Sequence, residues 1–335
     1  MKLTPGKLAG LKAVSDARGI IAAAAMDQRG SLQKALAKER GGIINSAALA
    51  EFKTLVTEVL TRHASAILLD PEFGLEAAKR RNNAGLLLAY EKTGYDAGTP
   101  GRLPDLLDVW SVRRLKEAGA DCIKVLLYYT PFENPSINDH KHAWIERIGD
   151  ECLAQDIPLF LEFVGYDANG DDERSLAYAK HKPAIVGGSM AEFSKPRYNV
   201  DVLKVECPVE MAYVEGTHAY KGESAYTRAE ALQHFRDAES KTHKPFIYLS
   251  AGVSNPIFIE ALQLAAESGT RFNGVLCGRA TWKDGIPIYA KQGPDVFKRW
   301  LETVGVKNIS NVNKALEAAS PWYLKFGASS LEELG

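Results

Sequence analysis

The chain carries no excess of either charge, no apolar run long enough for a bilayer, no paired cysteines and no cluster of histidines. Each absence removes a class of function. Lysine and arginine number 41 against 42 acidic residues in 335, a net charge of -1. That balance offers no bulk attraction for nucleic acid or an anionic membrane and leaves only a local basic pocket for anions. The longest apolar run, Gly19 to Met26, is far too short to span a bilayer. Met1 to Lys7 lack a secretory apolar segment, so a cytoplasmic protein is expected. Cys122, Cys152, Cys207 and Cys277 lie far apart with no CxxC pair, and three of them fall in or beside strand-like runs. They read as buried thiols in a reducing compartment. The His/Cys spacing of a zinc site is absent, and no metal is expected. No internal repeat, low-complexity linker or run of like charge marks a boundary, so residues 1–335 read as one domain with a substantial core.

What the sequence does contain is eight compact apolar runs, at residues 19–26, 65–69, 85–90, 121–128, 158–164, 202–207, 245–250 and 273–279. Helical segments separate most of them, at 31–38, 47–62, 111–118, 139–155, 173–193, 228–241, 256–267 and 295–304, while the link between the second and third runs is short. The 47–62 segment carries Leu49, Phe52, Val56 and Leu60 as one apolar stripe. A helix at 5–17 precedes the first run, and extra helices at about 310–319 and 329–334 follow the last. Eight strands alternating with helices predict a parallel sheet closed into a (β/α)8 TIM barrel. The rival, an open doubly wound sheet, wants a glycine-rich phosphate turn after the first strand, and Asp27-Gln28-Arg29-Gly30 is not one.

Barrel enzymes place their chemistry at the carboxyl ends of the strands. Those positions hold Asp27, Gln28 and Arg29 after the first run, Asp70 after the second, and Glu91 and Lys92 after the third. Ser250 follows the seventh run, and Gly278 and Arg279 close the eighth. Three ionisable residues sit inside otherwise apolar runs: Lys124, Glu162 and Lys204. Burying an ammonium is costly, so such positions call for a reason. With a side-chain period of two, Cys122, Lys124 and Leu126 share one face, as do Phe160, Glu162 and Val164. If those faces point inward, two lysines and a glutamate meet on the barrel axis. A neutral lysine is a nucleophile, and desolvation beside a second cation favours that form. Lys124 would supply the cation for Lys204, and Glu162 the proton shuttle for carbinolamine formation and dehydration. Plainer readings stand beside these: Lys204 salt-bridged to Glu206, and Lys124 with Glu162 as a buried ion pair filling the barrel.

Two loops, Ser250-Ala251-Gly252 and Cys277-Gly278-Arg279, suit a phosphate held by backbone N–H groups, a hydroxyl and an arginine. Each also reads as a glycine turn. Asp27 suits a hydroxyl proton transfer or a helix cap, a role for which Ser31 competes, and Arg29 suits a second anion. The long stretch 209–226, with Met211, Tyr213, His218, Tyr220 and Tyr226, reads as a lid over the substrate or as a subunit contact.

Several longer strings carry a family resemblance. Met26-Asp27-Gln28-Arg29-Gly30-Ser31-Leu32, Leu203-Lys204-Val205-Glu206 and Tyr248-Leu249-Ser250-Ala251-Gly252-Val253-Ser254 are three of them. The others are Leu87-Leu88-Ala89-Tyr90-Glu91-Lys92-Thr93-Gly94-Tyr95-Asp96 and Gly274-Val275-Leu276-Cys277-Gly278-Arg279-Ala280-Thr281-Trp282. Together they resemble class I tagatose 1,6-bisphosphate aldolases, over nearly the whole chain. The resemblance implies a (β/α)8 barrel with the Schiff-base lysine at Lys204, the acid/base at Glu162, a strand-four lysine at Lys124 and a hydroxyl base at Asp27. It implies that Ser250, Gly252, Gly278 and Arg279 hold the phosphate of the dihydroxyacetone half, with Gln28 among the substrate-binding residues and Arg29 assigned to the far phosphate. The implied reaction needs no metal or other cofactor. It is reversible cleavage of D-tagatose 1,6-bisphosphate, and of C4 epimers such as fructose 1,6-bisphosphate, to dihydroxyacetone phosphate and D-glyceraldehyde 3-phosphate. The expected partners are a phosphorylated ketose and further copies of the chain, a dimer being favoured, with no nucleic acid and no membrane. The alternatives are a related sugar-phosphate or sulfosugar-phosphate aldolase, a metal-dependent aldolase, and a catalytically weak sugar-phosphate sensor. The ending Phe163-Val164-Gly165-Tyr166-Asp167 and the alanine-rich first strand differ from the lactose-pathway pattern, which leaves the sugar epimer open.

Overall fold

The computed structural model describes residues 3–92, 100–170 and 172–334, so Thr93 to Asp96 of the motif beginning at Leu87 lie outside the described residues. Each apolar run becomes one strand: β1 Ile21–Ala25, β2 Ala66–Leu69, β3 Gly85–Ala89, β4 Cys122–Tyr128, β5 Leu159–Val164, β6 Val202–Val205, β7 Phe246–Leu249 and β8 Gly274–Cys277. All pair in parallel with their sequence neighbours, and β1 pairs with β8 to close the barrel. Strands buried on both faces read as near-continuous apolar runs, which is why no alternation marks them.

The helices outside the barrel are α1 Pro5–Ala13, α2 Gly30–Arg40, α3 Ser46–Leu60, α4 Leu75–Ala78, α5 Val112–Glu117, α6 Pro135–Ala154, α7 Leu176–Phe193, α8 Arg228–Ser240 and α9 Asn255–Glu267. They continue with α10 Arg279–Trp282, α11 Ile286–Gln292, α12 Pro294–Trp300 and α13 Val306–Ala315. The single turn α4 accounts for the short link between β2 and β3. In place of one helix at 295–304, α12 runs through a π-helical turn at Leu301–Gly305 into α13. The last expected helix, 329–334, is only a 3-10 turn at Glu332–Leu334. No helix among the described residues is long and apolar enough to cross a membrane.

Two apolar layers hold the barrel. The outer layer lies between strands and helices and includes the Leu49, Phe52, Val56 and Leu60 stripe of α3. Phe52 stacks on Phe297 at 4.5 Å and meets Tyr289 and Trp282 edge-on at 5.2 and 5.8 Å, so α3 is tied to the C-terminal helices. The inner layer fills the lower barrel with Ile21, Ala23, Leu68, Leu87, Phe160, Val202 and Ile247, and α1 closes that end with Leu8, Leu11 and Val14. Lys7 of α1 pairs with Asp201 at 2.9 Å, just before β6. The amino-terminal mouth is plugged by these apolar residues, and a cavity among the described residues lies at the carboxyl ends of the strands. The alanines of β1 and β3 have a role here. Ala23, Ala25 and Ala89 are small inward residues that leave room for a long side chain from β4.

Candidate active site

Lys124 occupies that room. It stands beside Ala89 in register and is fully buried, with its Nζ 2.9 Å from Asp27 Oδ2, 2.8 Å from Glu91 Oε1 and 2.8 Å from Glu162 Oε2. Lys204 is in register with Glu162, and its Nζ lies 2.8 Å from the same Oε2. One carboxylate oxygen on β5 therefore forms ion pairs with ammonium groups on both flanking strands, β4 and β6, without hydrogen-bond geometry to either. The faces of β4, β5 and β6 point inward, and the three strand-embedded charges meet.

The charges set one another. Burial disfavours the Lys124 ammonium, but Asp27, Glu162 and Glu91 outweigh it and hold its pKa well above the ordinary lysine value. Burial likewise opposes the Asp27 and Glu162 carboxylates, yet Lys124 and Lys204 keep both pKa values below the ordinary range. Glu91 goes the other way: burial raises its pKa beyond what Lys124 and Arg29 recover. Asp27 Oδ1 and Glu91 Oε2 have no hydrogen-bond partner among the described residues. Glu91 stands at a strand end, as Asp70 and Lys92 do, and no sequence pattern indicates its role. Its partner Lys124 lies 33 residues away in sequence and only the closed barrel brings them together.

Above this cluster opens a cavity of about 530 Å³. Of the expected site residues, Asp27, Gln28, Arg29, Glu162, Lys204, Ser250, Gly252, Gly278 and Arg279 line it, and Lys124 lies just beneath. Ala251 and Gly252 are successive left-handed residues, φ 46° and 76°, a backbone that turns consecutive N–H groups to one side. A Cβ on Gly252 would fall 2.7 Å from Cζ of Arg279, so the glycine lets that guanidinium lie against the loop. Lys283 Nζ donates to the Gly252 carbonyl at 2.8 Å and fixes the turn.

Arg29 is placed differently from the expectation of an anion-binding group. It is buried, and its guanidinium donates to Glu72 Oε2 and to the Glu91 carbonyl, both at 2.7 Å. It ties the loops after β2 and β3 to β1. Ser31 and Lys34 of α2 line the same cavity, and Lys34 is exposed with no ion-pair partner among the described residues. Lys92 lines it too, but its ammonium is paired with Asp105 at 3.0 Å and Asp108 at 2.8 Å. Asp70 lies behind the wall, 2.6 Å from Lys53. Glu206 shares the cavity with Lys204, but its carboxylate accepts from the Gly165 N–H at 2.8 Å and faces Lys182 at 3.5 Å. The plain salt bridge to Lys204 is therefore replaced by one to α7. The 209–226 stretch supplies no residue to the cavity wall, contrary to the lid reading. Its Val209, Met211, Val214 and Tyr226 are buried in the outer apolar layer, and His218 is held by Glu260 of α9. Among the described residues, no group of three or more His, Cys, Asp or Glu side chains is arranged to hold a metal ion.

A model of the DeoC/LacD family aldolase matches residues 21–284. The chain belongs to the DeoC/LacD aldolase family. Tagatose 1,6-diphosphate aldolase of Listeria monocytogenes serotype 4a is 52% identical over 330 residues, covering 98% of this chain and 97% of the relative. The same-named protein of Staphylococcus aureus strain JH9 is 53% identical over 318 residues, covering 94% and 97%. Among solved structures, fructose-bisphosphate aldolase from Plasmodium falciparum superposes with a TM-score of 0.69 at 14% identity, covering 96% of this chain and 97% of that one. A Schiff base-forming fructose-1,6-bisphosphate aldolase superposes with a TM-score of 0.56 at 13% identity, over 89% and 99%. At that identity the two structures speak to the barrel alone. The DeoC/LacD membership makes the chain an aldehyde-lyase. In an aldolase of this family, an inward lysine bridged by a carboxylate to a second lysine is an arrangement that can form and discharge an imine.

Proposed function

We propose that the protein is a class I ketose 1,6-bisphosphate aldolase that cleaves D-tagatose 1,6-bisphosphate and its C4 epimers through a Schiff base on Lys204. The observation that carries the reading is Glu162 Oε2, 2.8 Å from both Lys124 and Lys204. Glu162 takes a proton from the Lys204 ammonium, and the neutral amine attacks the C2 carbonyl. Glu162 returns that proton to the carbinolamine oxygen, which leaves as water and yields the iminium. Lys124 stays charged throughout, held by its carboxylates, so the mobile proton resides on Glu162.

Asp27 Oδ2 is fixed by Lys124, which leaves Oδ1 to take the proton of the C4 hydroxyl. The C3–C4 bond then breaks, its electron pair moves into the iminium, and an enamine forms as glyceraldehyde 3-phosphate departs. C3 of the enamine gains a proton equivalent to the one Asp27 took, Asp27 returns to the carboxylate, and hydrolysis of the iminium releases dihydroxyacetone phosphate and frees Lys204. The loops at Ser250–Gly252 and Gly278–Arg279 hold its phosphate. The far phosphate lies toward Ser31 and Lys34 of α2, where Lys34 has no ion-pair partner among the described residues. Residues 1–335 act as one aldolase domain, a reading supported by α1 plugging the barrel. The working form is a homo-oligomer, a dimer in the first instance, and light scattering reads it directly.

The test is borohydride reduction in the presence of dihydroxyacetone phosphate, followed by peptide mass spectrometry. The label is expected on Lys204. A label on another lysine, or none on an enzyme that cleaves the bisphosphate, refutes the mechanism. Cleavage abolished by EDTA does so as well.

A further inference from the structure

Lys53 sits within the apolar stripe of α3, beside Leu49, Phe52 and Val56, and is fully buried. A lysine there is costly unless its ammonium finds partners. It has three: the carbonyl oxygens of Met26 and Gln28, each at 2.7 Å, and Asp70 Oδ2 at 2.6 Å. Asp70 is itself anchored, its Oδ1 accepting from the N–H groups of Glu72 and Phe73 at 3.1 and 2.8 Å. An ion pair that merely stabilised the barrel would need Asp70 alone. The fork onto two carbonyls is additional, and those carbonyls lie on either side of Asp27. The β1 ladder ends at Met26, whose N–H donates to the Leu68 carbonyl at 2.8 Å. One residue earlier, Trp282 Nε1 donates to the Ala25 carbonyl at 2.9 Å. From there the chain leaves the sheet, and Lys53 takes over as its anchor.

We propose that Lys53 is a positioning residue for carbon–carbon cleavage: its ammonium grips the Met26 and Gln28 carbonyls from the rigid α3 and fixes the backbone around Asp27 so that the free Oδ1 meets the C4 hydroxyl. The proposal rests on the reading of Asp27 as the hydroxyl base. Geometry of this kind carries large rate effects, because misplacing a reacting group by about 1 Å costs on the order of 100-fold. The charge assists as well. Burial disfavours the Asp27 carboxylate, and Lys53 adds to Lys124 and Lys204 in keeping it ionised. Schiff-base formation uses Lys204 and Glu162, which Lys53 does not touch, so the two half-reactions should separate.

The experiment compares wild type, Lys53→Met and the double variant Lys53→Met/Asp70→Asn. The double variant removes both charges and keeps a carbonyl oxygen for the Glu72 and Phe73 N–H groups. Three readouts are taken: thermal stability, kcat for bisphosphate cleavage, and the rate of borohydride trapping of dihydroxyacetone phosphate on Lys204. Lys53→Met should lose about 100-fold in kcat and should also be less stable, while trapping stays within a few-fold of wild type. The double variant should regain stability but not kcat. Recovery of kcat along with stability, or a parallel loss of trapping and cleavage, overturns the proposal. If the double variant does not fold, Asp70→Asn alone decides: it leaves the grip intact, so kcat should hold within a few-fold while stability falls, and a loss as large as that of Lys53→Met overturns it. Failure of wild type to be trapped at Lys204 would instead count against the proposed mechanism.

Discussion

Replacing Lys124 with methionine keeps most of the apolar stem and deletes the ammonium, which leaves Asp27, Glu91 and Glu162 around an empty centre. Removing one partner of a buried ion pair costs about 3–5 kcal/mol. At roughly 2 °C per kcal/mol for a chain of this size, the variant should melt about 6–10 °C below wild type near neutral pH. The sign of the pH dependence follows from the carboxylates. In wild type, Asp27 and Glu162 have folded pKa values below their unfolded ones. Their contribution is present above the unfolded values, about 4, and is lost as pH falls through the folded ones. Without Lys124, burial dominates and the folded pKa values rise above the unfolded ones, so stability is full below about 4 and is lost as pH rises through the folded values. The two stability curves therefore converge on acidification. Differential scanning fluorimetry from pH 5 to 8 reads this directly. A melting deficit that stays constant across that range, or widens toward pH 5, would refute the electrostatic account of the cluster.

Two further outcomes follow from the site. Lys204→Ala should abolish essentially all cleavage while the far-ultraviolet circular dichroism stays native, since the neighbours of Lys204 remain paired through Lys124; turnover near wild type removes it as nucleophile. Gly252→Ala forces a side chain into a left-handed backbone, φ 76°, and against Arg279 at 2.7 Å. Losing one charge-assisted contact to the phosphate is worth about 1.5–3 kcal/mol, so KM for the bisphosphate should rise at least tenfold with a smaller change in kcat. An unchanged KM would show that this loop does not hold the phosphate.

Strands buried on both faces are legible because a compact apolar run bounded by polar residues has few other uses, and all eight were visible that way. Lys124, Glu162 and Lys204 stood out for the same reason: an ionisable residue inside such a run needs an explanation. The region after β8 was harder. Gly285, Pro287, Gly293 and Pro294 break the apolar period, so α10, α11 and the start of α12 do not show as one pattern. Arg29 and the 209–226 stretch illustrate a different limit. Which groups claim a guanidinium, here Glu72 and the Glu91 carbonyl, depends on loops whose paths no local pattern specifies. Aromatic residues in a long loop look the same whether they cover a cavity or pack on a helix. Lys53 was in plain view within the stripe of α3, yet its partners belong to the ends of β1 and β2.

The buried charges also explain how a barrel interior tolerates the proposed reaction. Around the reacting atoms, the carboxylates of Asp27 and Glu162 face the ammonium groups of Lys124 and Lys204, two negative charges against two positive. At an effective dielectric of about 20, a unit charge left unbalanced at 4 Å costs about 4 kcal/mol. Imine formation keeps the balance, because the Lys204 ammonium is replaced by a cationic iminium at the same place. Bond cleavage removes two charges at once: Asp27 becomes neutral as it takes the C4 hydroxyl proton, and the Lys204 nitrogen becomes neutral as the electron pair arrives. The enamine thus forms in a site whose net charge has not changed. With a base outside the cluster, loss of the iminium charge would leave a buried carboxylate there without its cation. In the proposed reaction, Lys124, in contact with both Asp27 and Glu162, would serve the dehydration and the cleavage in turn.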